Sequence, residues 1–114
     1  MFFGPGNKKP QKHKFKAKRQ EYDGINFDSK LEANYYLFLK SLVNGGKVIF
    51  FLRQVPFHLP GNVTYRVDFQ EFWEDGNVFF TDVKGVETKE FIRAKKQVES
   101  LYPVKISVIK KGDF

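Results

Sequence analysis

A chain of 114 residues suits one domain with one modest core, and 41% apolar residues with 18% aromatics are too many for a disordered chain. There is no cysteine, which excludes disulfides, thiol nucleophiles and thiolate metal sites. The formal net charge is +7, and its distribution points to a polyanionic partner.

Seven of the 20 basic residues are Lys8, Lys9, Lys12, Lys14, Lys16, Lys18 and Arg19. They fall in residues 1–20 with no acid among them, leaving 13 basic against 13 acidic residues elsewhere. Gly4, Pro5, Gly6 and Pro10 interrupt the run, so residues 1–20 are expected to be a flexible basic arm and residues 21–114 the folded domain. Such an arm is an electrostatic footprint for nucleic acid, with a solubilising tail as the plain alternative. No apolar run approaches the roughly 20 residues of a membrane span, nor does the start carry the core of a signal peptide. The expectation is therefore no membrane and a cytoplasmic location, which is host cytoplasm if a phage encodes the chain.

The first regular element follows Asp28. Ser29 and Glu32 form a capping pattern, Leu31, Tyr35, Phe38 and Leu42 an apolar stripe, and Gly45-Gly46 a stop, which predicts a helix over 29–43. Val48 to Leu52, continuing through Gln54-Val55-Pro56, predicts a strand with Pro56 at an end or an edge. Tyr65–Trp73 and Val78–Lys84 predict two more strands around the turn-forming Glu74-Asp75-Gly76-Asn77. Thr88 caps a helix to about Leu101 with Phe91, Ala94, Val98 and Leu101 as its stripe, and Val104–Ile109 gives a last strand. The order α-β-β-β-α-β implies a mixed sheet flanked by helices, an α/β fold.

The chemistry concentrates in Phe79-Phe80-Thr81-Asp82-Val83-Lys84-Gly85. An apolar strand acquires an acid and a base two residues apart, on one face. Charges there are costly unless paired or metal-bound. A solvated strand end with a salt pair is the ordinary explanation of such a pair alone. Asp68, in Arg66-Val67-Asp68-Phe69, supplies a second acid from the neighbouring strand. Two carboxylates and a backbone carbonyl, that of Val83, suffice for magnesium or manganese, which prefer oxygen. Glu32 heads a helix row of Tyr36, Leu39 and Val43, all apolar; it is a third ligand or the acidic end of a capping box. Lys84 adds the fixed ammonium that phosphodiester cleavage requires near the developing charge.

Phe27-Asp28-Ser29-Lys30-Leu31-Glu32, Tyr65-Arg66-Val67-Asp68-Phe69 and Thr81-Asp82-Val83-Lys84-Gly85 together resemble the PD-(D/E)XK nuclease superfamily. The chain is most similar to the phage endonuclease I group of Holliday-junction resolvases, and to a phage-borne family sharing the basic arm. Val67 stands where the motif name has Pro, and Asp82 replaces the commoner Glu. The resemblance implies a restriction-endonuclease-like fold. It also implies metal ligation by Glu32, Asp68 and Asp82, a catalytic role for Lys84, and magnesium or manganese as cofactor. DNA is the implied partner, four-way junctions the favoured form, and a homodimer follows if junctions are cut. Gln54-Val55-Pro56 is similar to a strand segment lining such sites. A nuclease-fold module that binds without cutting, and a nicking or end-processing nuclease, are the alternatives.

Secondary candidates are Arg66 and Lys89 as phosphate contacts. Arg93, Lys95 and Lys96 lie on the same helix as Glu87, Glu90 and Glu99, which argues equally for a solvated face. His58 is expected to be structural. The hairpin register is decisive. A three-residue loop, Asp75-Gly76-Asn77, with Asn77 left-handed, or an equivalent one-residue bulge between Asp68 and Asp82, would set Asp68 opposite Lys84 and Gln70 opposite Asp82. All four would then share one face.

Overall fold

The computed structural model describes residues 20–114. Elements run β1 (Gln20–Tyr22), β2 (Ile25–Phe27), α1 (Lys30–Asn44), β3 (Val48–Leu59), β4 (Val63–Trp73), β5 (Val78–Val83), α2 (Lys89–Leu101) and β6 (Ile106–Ile109). From α1 onward this is the expected α/β order. Ahead of it lies a small antiparallel hairpin, β1–β2, that the sequence reading leaves without structure. Asp23-Gly24 turns it, both residues with positive φ (55° and 77°), as a tight two-residue hairpin requires. Gln20, the last residue of the segment expected to be arm, is thus part of a strand, and residues 1–19 lie outside the described residues.

The main sheet has the order β3-β4-β5-β6, antiparallel except for the parallel β5–β6 pair. It is therefore mixed. β3 lies at the edge, where Pro56, lacking an amide proton, is tolerated. Ser29 caps α1 by accepting the Glu32 amide at 3.1 Å, and Thr88 caps α2 by accepting the Phe91 amide at 3.1 Å. No helix among the described residues is long and apolar enough to cross a membrane.

Two apolar clusters form the core. One joins α1 to Phe27, Val48, Phe69 and Val83; the other gathers Phe57, Leu59, Val67, Val98 and Ile106. Burying an aromatic such as Phe27 or Phe69 stabilises the fold by about 1.5–3 kcal/mol. The deepest α1 row is Glu32, Tyr36 and Leu39 together with Ala33 and Tyr35, while Leu31, Phe38 and Leu42 are only partly buried. Leu101, expected in the α2 stripe, is 52% exposed. Tyr102 packs there instead, its ring centroid 5.1 Å from that of Phe57.

The β3–β4 ladder is regular from Phe50/Phe72 to Leu59/Val63 except at one step, where the Gln54–Asp68 pair is missing. Gln54 has φ 54°, a left-handed conformation costly for a residue with a side chain. The hairpin passes from one core cluster to the other at this step. Val55 and Val67 pack in the α2 cluster, whereas Phe51 and Phe69 pack against α1.

Candidate metal centre

β4 and β5 pair as Phe72↔Val78, Glu71↔Phe79, Gln70↔Phe80 and Phe69↔Thr81. The loop has three residues, as expected, but they are Glu74, Asp75 and Gly76. Trp73 N–H donates to the Asn77 carbonyl at 2.9 Å, and Gly76 (φ 92°), not Asn77, takes the left-handed position. The register therefore moves by two residues from the expected one. Gln70 faces Phe80 rather than Asp82, and the next step of the ladder brings Asp68 against Asp82 rather than Lys84.

At that step the backbone ladder stops and the carboxylates replace it. Asp82 Oδ1 accepts the Asp68 amide at 2.9 Å, and Asp68 Oδ2 accepts the Val83 amide at 2.9 Å. Each acid thus bonds the opposite strand's backbone, and the two side chains occupy the gap where the strands part. The Tyr65 hydroxyl donates to Asp82 Oδ2, and Gln54 Nε2 donates to Asp68 Oδ1 at a long 3.4 Å. The left-handed turn at Gln54 is what aims an edge-strand amide at Asp68.

Electrostatics mark the place. Asp82 is 1% exposed. Burial pushes its carboxyl up to about 6; the Tyr65 hydrogen bond opposes this and the charge of Asp68 adds to it. Burial also raises Asp68, against the bonds from Val83 and Gln54 and the charge of Lys84. Burial and the Asp82 carboxylate hold the Tyr65 phenol far above its usual value, so it stays a donor.

Glu32 approaches from the first turn of α1. Only half of a capping box forms: Ser29 accepts the Glu32 amide, while the Glu32 carboxylate reaches Arg53, with Nη2 3.5 Å from Oε2. Burial first, then the charge of Asp68, pushes Glu32 up to about 7 despite Arg53. The Arg53 guanidinium sits between aromatic rings, its Cζ 4.7 Å from the Phe27 centroid and 6.0 Å from that of Phe69. Lys84 is a second cation, within range of both aspartates. Its ammonium lies 4.9 Å from the Phe91 ring centroid, its amide donates to Ile109, and its charge lowers both aspartates.

Asp68, Asp82, Lys84, Gln54 and the Val83 backbone are thus brought together, with Glu32 within electrostatic range. Among the described residues, however, no three acidic or histidine side chains are close enough to hold a metal as a set. The donor chemistry nonetheless fits a hard divalent cation. Burial raises the proton affinity of all three carboxyls, and the charge of Asp68 raises Asp82 and Glu32 further, against the cationic Lys84 and Arg53. A surplus of desolvated negative charge is what such an ion neutralises.

The remaining candidates lie elsewhere. Arg66 and Lys89 are exposed. Lys95 pairs with Glu99 at 3.2 Å along α2, the ordinary solvated-face arrangement. His58 is exposed in β3, its carbonyl accepting the Tyr102 hydroxyl at 2.7 Å. Lys8, Lys9, Lys12, Lys14, Lys16, Lys18 and Arg19 lie outside the described residues. Sequence reasoning misses Arg53 and Tyr65. Each has apolar residues two positions away on its own strand face, Phe51 and Val55 for Arg53 and Val63 and Val67 for Tyr65, and a polar group on such a face was the available signal.

A family model described as a protein of unknown function, DUF1064, matches residues 12–112. The chain belongs to the DUF1064 family. No curated protein and no solved structure matches it. The DUF1064 match takes in all four residues of the centre, Glu32, Asp68, Asp82 and Lys84, and part of the basic N-terminal run.

Proposed function

We propose that this protein is a metal-dependent endonuclease that hydrolyses DNA phosphodiester bonds, with branched or four-way junction DNA as its favoured substrate. One observation carries the reading: Asp68 and Asp82 interlock where β4 and β5 part, under the charge of Lys84. Asp68 and Asp82 would hold magnesium or manganese, with Glu32 as the third carboxylate and the Val83 carbonyl beside them. When bound, such an ion lowers the pKa of a water and neutralises charge on the phosphate.

The chain's own residues do the rest. Lys84, steadied against Phe91, offers an ammonium to the developing phosphorane charge. Tyr65 and the Asp68 amide fix the orientation of Asp82, and Gln54 and the Val83 amide that of Asp68. Glu32 carries a proton over part of the neutral range and would release it as the carboxylates bind a cation.

A second reading is a nucleic-acid-binding module on the same fold. It is favoured by the absence of a three-residue ligand set among the described residues, and by the partners already held by Asp68 and Asp82. Incubation with linear, nicked and four-way DNA in magnesium, manganese, calcium or EDTA separates the two. Cleavage is expected in magnesium and manganese, and binding without cleavage in calcium. Cutting that persists in EDTA overturns the metal mechanism, and binding without cutting under every condition establishes the second reading.

A further inference from the structure

Arg53, the partner of Glu32, also lines an open pocket of about 350 Å³, together with Tyr36, Lys40, Val43, Phe50 and Phe51. Small-ligand sites run from about 300 to 1,000 Å³, so the space suits one small planar group with a charged attachment. Three aromatic rings and two cations line it, with no carboxylate among the lining residues.

Part of that lining is ordinary packing. Tyr36 and Phe51 meet edge to face at 5.7 Å, as core rings do. Phe50 is different: it is 46% exposed, although stacked on Phe72 at 4.3 Å. The β3–β4 register shifts between Val48 and Phe50, an irregularity that re-aims edge-strand side chains. The cations are under-used as well. Lys40 has an exposed 3.8 Å ion pair with Asp23, and exposed pairs of this kind are weak. Arg53 offers five N–H donors. It makes one 3.5 Å contact, to Glu32, and its buried Nε has no partner among the described residues. Arg53 also joins the pocket to the centre, since the same guanidinium touches Glu32 and lines the cavity.

We infer that this pocket binds one unpaired nucleotide, its base on the aromatic wall of Tyr36, Phe50 and Phe51 and its phosphate on Lys40 and Arg53. The strand assignment rests on the nuclease reading, because only a strand at the carboxylates continues past Arg53 into the pocket. The binding chemistry does not: a free mononucleotide offers the same base and phosphate. A paired base inside a duplex is stacked on both faces, and pairing holds even an end base in the helix, away from the rings. The pocket therefore selects DNA with an unpaired base beside the cut, which flapped or forked branches and single-stranded ends present.

The test measures binding in EDTA, where no cutting intervenes, by anisotropy of fluorescein-labelled oligonucleotides. A duplex bearing a short single-stranded end is compared with a blunt duplex, for wild type, Phe50→Ala and Lys40→Ala. Neither substitution touches the buried core, and melting temperatures confirm folding. Losing an aromatic platform weakens base binding by about 5- to 150-fold. Phe50→Ala is expected to lose that factor on the single-stranded end and nothing on the blunt duplex, with Lys40→Ala showing a smaller loss in the same direction. Equal losses on both DNAs, or none, overturn the proposal. Competition by millimolar dTMP, with no preference for the single-stranded end, keeps the nucleotide site but overturns its assignment to the substrate strand. Wild-type cleavage without preference for unpaired ends sinks this inference alone. A preference in binding with no cleavage in any metal sinks the nuclease reading and leaves the pocket standing.

Discussion

Replacing Glu32 by Gln tests the electrostatics of the centre without touching its shape. Gln keeps an oxygen for Arg53 and the same length, but cannot ionise. In the wild type burial pushes the Glu32 carboxyl up to about 7, against an ordinary value of 4.5. The folded state therefore binds more protons than the unfolded state between those values, and stability must fall as pH rises through them. The full shift corresponds to about 3 kcal/mol. The carboxylate is not wholly shielded and Arg53 is partly exposed, so solvent screening reduces this to about 1–2 kcal/mol. For a domain of this size each kcal/mol moves the midpoint by about 4–8 °C. Thermal melts in EDTA from pH 4 to 8 should show the two proteins nearly level at pH 4, below the unfolded-state value. At pH 8 the Gln variant should be more stable by about 4–15 °C. Asp68 and Asp82 slope the same way in both proteins and largely cancel in the difference. Curves that stay parallel across the range would refute the claim that Glu32 is held desolvated and short of positive charge. Added magnesium should narrow the gap, because an ion replaces the missing charge.

Asp82→Asn and Lys84→Ala are each expected to abolish cleavage while folding and DNA binding persist; a gel assay beside an anisotropy titration checks both, and near wild-type rates would dismiss these residues from catalysis. Tyr65→Phe removes a donor to Asp82, so its carboxyl should titrate above the present value of about 6, read by carbon-13 NMR, with a stability cost of about 1 kcal/mol. Deleting residues 2–19 should flatten the salt dependence of DNA binding, which falls with a log–log slope of about −0.9 per phosphate contact on duplex DNA. An unchanged slope would make that segment a solubility tail.

The elements with strong periodicity were legible in the sequence. Both helices begin at the expected caps, because Ser29 and Thr88 each satisfy an amide that nothing local else can. The hairpin β1–β2 was not, since two strands of three residues are too short to display alternation. The shared face of Asp68 and Asp82 was legible from turn chemistry, but the register was not. Gly76 and Asn77 both tolerate a left-handed backbone, and choosing the wrong one displaces every pair by two. Arg53 escaped notice because the sequence does not show that the Glu32 side chain turns away from its own cap. The left-handed conformation of Gln54 escaped because Gln gives no hint of it; only the strand pairing on both sides forces that residue out of the ladder.

The exchange of side chain for backbone at the end of β4 and β5 also supplies two natural reporters. The amide protons of Asp68 and Val83 are held by carboxylate oxygens, not by peptide carbonyls. A peptide carbonyl cannot be titrated or chelated at ordinary pH, whereas a carboxylate can. Whatever draws those oxygens away, a proton or an ion, must loosen the same two amides and leave their neighbours in the ladder untouched. Occupancy of the centre should therefore be readable in the solvent exchange of two protons, even in a preparation where no DNA is ever cut.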